Sequence, residues 1–305
     1  MKFALISVSN KQNITIISNF LLENNYNIIS TGGTYKYLIS NIDKKYHKNI
    51  ISVEEFTGFP EILNGRVKTL HPKIYGGILY DSDIKSHKND FEKYNNSNYP
   101  CFNLTKIDIV IVNLYPFKEV IQQNNDIQTE IENIDIGGVS LLRAGAKNYK
   151  NVVVLCNPLD YIKYIQSYNY VDNLINFRRD LAAKAFEHIS DYDNAITNYF
   201  NKNINYRKYK TVDRLKYGCN PYQNNSFVLQ CDSDKTEFPF KILNGNPGYI
   251  NYLDCCQSWL LVNEVGKALN TVCCASFKHT APAGVAISKY LLETNEEYVY
   301  DVNNI

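Results

Sequence analysis

Short runs of consecutive apolar residues alternate along the first two thirds of the chain with stretches whose apolar positions recur every three or four residues. Phe3–Val8 predicts a first strand, Ile14, Ile17, Phe20 and Leu21 follow at helical spacing, and Asn27–Ile29 predicts a second strand. Ile107–Val112, broken only by Asp108, and Val152–Leu155 are β-branched runs of the kind expected in strands covered on both faces. Strand and helix in alternation predict an α/β domain with a parallel sheet, whose ligands sit beyond the carboxyl ends of the strands. The segment Asp81–Thr105 is polar, Asn-rich and without a clear period, and reads as a surface excursion. Helical pattern returns over Leu174–Phe200, with Phe177, Leu181, Lys184, Ala185, His188 and Ala195 near one face. The basic and polar stretch Asn201–Asp213 reads as a linker. The expected organisation is therefore a domain over 1–200, a linker over 201–213 and a second segment over 214–305.

Composition narrows the function classes. With 32 basic and 31 acidic residues the net charge is +1, which offers no general field for nucleic acid or an anionic membrane, so any phosphate binding must be local. The 25 Tyr residues scatter over helices, strands and loops without forming a patch for stacking bases. The apolar run at the N-terminus is too short for a signal peptide's core, and no run is long enough to span a bilayer. Eight Cys include the adjacent pairs Cys255-Cys256 and Cys273-Cys274 but no CxxC, which argues against a zinc site and for reduced thiols in the cytoplasm.

Five segments carry candidate chemistry. Thr31-Gly32-Gly33-Thr34 follows the second strand and opens a helix, where backbone N–H groups and hydroxyls can cradle a phosphate. Ser9-Asn10-Lys11 follows the first strand and adds a hydroxyl and a cation at the same sheet edge. Arg66, Val67, Lys68 and Thr69 lie in a loop before His71-Pro72, where extended backbone puts Arg66 and Lys68 on one side. Asn113-Leu114-Tyr115 follows the Ile107–Val112 strand, and Asp135-Ile136-Gly137-Gly138 leads into a helical run ending near Lys147. Asp135 reads equally as that helix's cap, and Lys147 as a cation paired with its C-terminal dipole.

Taken with Arg214–Gln223, Ile242–Asp254 and Ala275–Gly284, these segments occur in one order that resembles the bifunctional purine-biosynthesis family with 5-aminoimidazole-4-carboxamide ribonucleotide (AICAR) formyltransferase and IMP cyclohydrolase activities. The resemblance covers essentially the whole chain but about the first half of the usual protein. It implies a methylglyoxal-synthase-like α/β domain that closes formyl-AICAR to IMP without cofactor or metal. The start of an α/β, cytidine-deaminase-like formyltransferase domain would follow, using 10-formyltetrahydrofolate as co-substrate.

Carried over residue by residue, the resemblance implies that Ser9, Asn10, Lys11, Thr31 to Thr34, Arg66, Val67 and Thr69 hold the nucleotide with Asn113, Ile136 and Gly137. It sets Lys68, Tyr115, Asp135 and Lys147 around the reacting atoms. Lys68 and backbone N–H groups near Asn113–Tyr115 are candidate oxyanion donors, and either Asp135 or a neutral Lys147 is the base. In the second segment, Lys278 and His279 match the family's catalytic pair, with Lys216 and Tyr217 as binding residues. Lys216 stands where the family usually has Arg, Tyr222 where it has His, and Asn10 where it has Asp. The family works as a homodimer, and the resemblance leaves room for a separate chain carrying the remaining domain, since after Ala286 the sequence runs only to Ile305. A nucleotide-sensing module or a decayed gene product are the competing readings, the first needing the phosphate loops but not Tyr115, Asp135 and Lys147 together.

Overall fold

The structure is a computed structural model that describes residues 1–96, 103–123, 125–168, 174–231 and 239–288. Its described residues divide into two compact units, Met1–Asn205 and the residues from Tyr206 onward. The expected chain ending beyond Ser288 lies outside the described residues.

In the first unit, strands β1 (Lys2–Val8), β2 (Tyr26–Ser30), β3 (Ile50–Ser52), β4 (Ile109–Asn113) and β5 (Val153–Leu155) form one sheet in the order β3-β2-β1-β4-β5. All neighbours are parallel. The connections carry helices α1 (Ile14–Glu23), α2 (Gly32–Asn41), α3 (Val53–Thr57), α4 (Pro72–Leu79), α5 (Lys85–Asn96), α6 (Phe117–Val120), α7 (Ile127–Glu132) and α8 (Gly137–Lys147). Helices α9 (Leu159–Ser167) and α10 (Leu174–Phe200) follow β5. The central strands are buried along almost their whole length: Ala4, Leu5, Ile6, Val110, Ile111 and Val112 are all fully inaccessible, as helical cover on both faces requires.

From β1 the chain winds outward through β2 and β3, then returns to the other side for β4 and β5. The winding therefore reverses between β1 and β4, where such sheets open a crevice at their carboxyl edge. Val8 lies opposite Asn113 in the parallel register, so the loops after β1 and β4 leave the sheet side by side.

Three sequence expectations change. Ile50–Ser52 forms a strand that its three-residue length concealed. The Asp81–Thr105 excursion contains α5, a helix whose polar composition masked its periodicity, while residues 97–102 lie outside the described residues. The stretch read as a linker includes the start of β6 (Tyr209–Arg214), which pairs antiparallel with β7 (Phe227–Cys231).

The second unit continues with α11 (Tyr249–Leu269) and an antiparallel hairpin of β8 (Cys273–Lys278) and β9 (Ala281–Ile287). None of the residues of α11 is fully buried, and Trp259 and Leu260 on it are exposed. The seven described cysteines are free. No helix among the described residues is long and apolar enough to cross a membrane.

Candidate active site

The crevice between β1 and β4 is a cavity of about 650 Å³ lined by every loop that the sequence singled out in the first unit. Its floor is the β1 loop against the N-terminus of α2. Thr34 Oγ1 accepts from the Val8 N–H at 3.2 Å and donates to the Val8 carbonyl at 3.0 Å, while the Ser7 and Thr31 hydroxyls are 2.9 Å apart. Thr31 is the N-cap of α2, yet its side chain makes no capping bond. The first amides of α2 are thus left without a side-chain cap at the cavity floor, where they and the helix dipole favour an anion.

Lys11 folds over this floor. Its ammonium donates to the Val8 carbonyl, to the Ser9 carbonyl at 3.3 Å and to Thr34 Oγ1 at 3.2 Å. Burial lowers its pKa below the ordinary ammonium range. A phosphate would favour the charged form. If a nucleotide's phosphate occupies this floor, its affinity should be full below the lowered Lys11 pKa and decline as pH rises through it. Calorimetry of nucleotide monophosphate binding between about pH 7 and 10 tests this, and a flat profile would remove Lys11 from the phosphate site.

Asn113 ties the two central loops together. Its side-chain oxygen accepts from the Ser9 and Asn10 amides at 2.7 and 2.8 Å, and its nitrogen donates to the Asn10 carbonyl at 2.9 Å. The side chain is thus spent on shaping the β1 loop, although the residue lines the cavity. Asn10 closes a local turn through the Gln12 amide instead of facing inward.

The segment between α3 and α4 supplies the opposite wall. Arg66 makes a two-pronged ion pair with Glu132 at the end of α7, and Gln128 donates to the same carboxylate at 2.7 Å. Lys68 lies 3.2 Å from Glu61. Thr69 is buried against the start of α8, and a Cβ on Gly137 would stand 2.7 Å from its hydroxyl oxygen, so only glycine permits that approach.

Asp135 both caps a helix and faces the cavity. Its carboxylate accepts from the Gly138 N–H at 2.6 Å, capping α8, and it lines the cavity with Tyr115 and Lys68. Burial raises its pKa above the usual carboxylate range, opposed by the Gly138 and Tyr115 amides and by the Lys68 charge.

The cavity thus gathers Ser9, Lys11, Thr31, Gly33, Thr34, Arg66, Lys68, Thr69, Asn113, Tyr115, Asp135, Ile136 and Gly137. Gly32 and Val67 sit within its loops but do not line it. Lys147 is not brought to it. It is exposed at the C-terminal end of α8, whose N-terminus faces the cavity, so the helix carries it roughly 15 Å away. Sequence reasoning missed Glu132 in the lining. Glu132 carried no signal, since its role depends on meeting Arg66 from far along the chain.

In the second unit Lys278 closes β8 and His279 occupies the hairpin turn with Thr280, both at positive φ. The Thr280 N–H donates to Asp254 on α11 at 2.6 Å. The Lys216 amide donates to the Pro247 carbonyl, and the Tyr217 carbonyl accepts from Tyr249. These four residues do not line the roughly 1180 Å³ cavity formed there by Leu243, Tyr252, Trp259 and their neighbours. Among the described residues, no group of three or more His, Cys, Asp or Glu could hold a metal ion.

Comparison with known proteins gives this geometry its context. The family model described as "MGS-like domain" matches residues 13–140, and that described as "AICARFT/IMPCHase bienzyme" matches residues 145–299. A "Bifunctional purine biosynthesis protein PurH" of Clostridium acetobutylicum is 41% identical over 300 residues, covering 96% of this chain and 56% of the relative. A protein of the same name from Clostridium kluyveri is 39% identical over 297 residues, covering 95% and 56%. The chain therefore spans little more than half the length of these relatives. A solved structure, "Crystal structure of ForH", aligns with a TM-score of 0.54 at 28% identity, covering 66% of this chain and 97% of that one. With matches that run through both units, the chain belongs to the AICARFT/IMPCHase bienzyme family.

Proposed function

We propose that the first unit closes formyl-AICAR to IMP with loss of water. The observation that carries this reading is the meeting, in one cavity, of an uncapped helix N-terminus and Lys11 with Asp135, Tyr115 and Lys68. The first group suits the substrate's 5′-phosphate, which leaves the imidazole between the second group.

Ring closure forms a bond from the carboxamide nitrogen to the formyl carbon. Because both groups sit on one molecule, holding them in the reactive geometry supplies much of the acceleration. Asp135 takes the proton that the carboxamide nitrogen loses, and its raised pKa makes it a better base than an ordinary carboxylate. The formyl oxygen becomes an alkoxide, which the Lys68 ammonium and Tyr115 stabilise. Asp135 returns its proton to that oxygen, and the hydroxyl leaves as water with the second proton lost from the adjacent nitrogen, which forms the carbon–nitrogen double bond of the new six-membered ring. The Glu61 carboxylate, 3.2 Å from Lys68 across an open loop, holds that ammonium until substrate competes for it.

Purified protein given formyl-AICAR should form IMP, followed by its ultraviolet absorbance. A folded protein that forms none would defeat the proposal. Lys68→Met should lower kcat by roughly 10²-fold with little change in nucleotide affinity, and unchanged turnover would remove Lys68 from the oxyanion role. A nucleotide-sensing role is the weaker reading, because binding alone gives no use for a desolvated carboxylate in the cavity. Formyl transfer from 10-formyltetrahydrofolate to AICAR and assembly as a homodimer belong to the family, and we extend both to this protein as proposals. Assay with AICAR and the formyl-folate tests the transfer, and sedimentation tests the assembly.

A further inference from the structure

Asp135 lies in the short connection between α7 and α8, where regular helical bonding cannot fix it. The bond that does so comes from 57 residues further along the chain. Tyr192, on α10, accepts the Asp135 N–H at 2.7 Å and donates its own proton to the Asn133 carbonyl at 3.0 Å. One hydroxyl therefore pins the backbone on either side of Ile134.

The ring is as constrained as the hydroxyl. Tyr192 is 6% exposed, and its ring meets that of Phe117 at 6.2 Å in an edge-on arrangement. Phe117 is fully buried, and its amide donates to the Tyr115 carbonyl at 2.8 Å. Tyr192 thus touches both loops that carry the polar groups of the reacting end: one directly at Asp135, the other through Phe117 to Tyr115. Burial pushes its hydroxyl up to about 12, so it stays protonated and keeps its donor role throughout the working pH range.

We infer that Tyr192 is a positioning residue for ring closure, holding the Asp135 carboxylate at the orientation needed to accept the substrate's proton. The inference rests on the cyclisation reading for its catalytic consequence but not for its structural one. The hydroxyl does not line the cavity, so its loss should leave nucleotide binding alone. Small misplacement of a catalytic base has large kinetic effects.

The test uses the full chain carrying Tyr192→Phe, which keeps the ring and removes the hydroxyl. Tyr199→Phe is the comparison, since Tyr199 on the same helix also loses a hydrogen bond, the one it donates to Glu130 at 2.8 Å. Tyr192→Phe should lower kcat for IMP formation about tenfold with KM within about twofold, whereas Tyr199→Phe should leave both near wild type. Exchange of the Asp135 amide proton should accelerate in Tyr192→Phe and not in Tyr199→Phe. Equal losses of kcat in the two variants would overturn the inference by pointing to general loosening of α10, as would unchanged kcat in Tyr192→Phe. If the parent chain forms no IMP, the cyclisation reading fails by itself. Amide exchange then decides the positioning role, and an unaltered Asp135 amide in Tyr192→Phe would end it.

Discussion

Asp135→Asn should reduce conversion of formyl-AICAR to IMP by roughly 10²–10⁴-fold while the protein still folds and binds nucleotide. The asparagine side-chain oxygen can still accept the Gly138 amide, so the cap of α8 survives. What disappears is the proton acceptor. The parent enzyme's raised Asp135 pKa also fixes the sign of the pH dependence. Activity is lost as pH falls through that pKa, at a pH above the ordinary aspartate range, because the protonated carboxyl cannot serve as base. Steady-state kinetics across pH on both proteins checks the two statements together. Full activity in the variant would transfer the base to another group and return Asp135 to being a helix cap.

The second large effect concerns stability. A Cβ on Gly77 would stand 2.2 Å from the Thr105 carbonyl oxygen and 3.1 Å from the Ile107 side chain. Backbone is the obstacle, so no rotamer change relieves it. The Gly77 carbonyl also accepts the Ile107 amide at 3.0 Å, which fastens α4 to the lead-in of β4. Gly77→Ala must push these apart, and should cost about 2–4 kcal/mol. In thermal unfolding followed by circular dichroism, the transition of the first unit should fall by roughly 5–15 °C. A midpoint unchanged within a degree or so would mean that α4 and β4 can separate freely, contrary to the close packing described above.

Much of the first unit was legible in the sequence because its central strands are buried on both faces. Such strands must be apolar throughout, and runs like Ile109–Val112 admit few other readings. The loops at their ends were legible for a related reason: glycine, hydroxyl and cation crowded together serve no packing purpose. What stayed hidden depends on distant encounters or on short length. The strand Ile50–Ser52 is too brief to show a period, and α5 has too few apolar residues to show one. Glu132 and Tyr192 look like any surface acid and any helical aromatic until the fold sets them beside Arg66 and Asp135. Lys147 shows the opposite error. Its neighbours in sequence open a helix at the cavity, but a helix of that length carries its last residue to the far side of the domain.

The second unit was less legible for a physical reason visible in α11. Its 21 residues include none that is fully buried, so no contrast between inward and outward faces had been written into the pattern. The family motifs there mark turns and strand ends, and these fold locally.

The Asn113 side chain has a consequence for anyone who would reshape this cavity. One amide group makes three bonds to the neighbouring loop, so the loops after β1 and β4 are a single mechanical piece. A substitution at 113 therefore reshapes the β1 loop that carries Lys11, and not one side of the cavity alone. The Tyr115 side chain, two positions on and exposed, takes no part in these bonds and can be changed without disturbing the β1 loop.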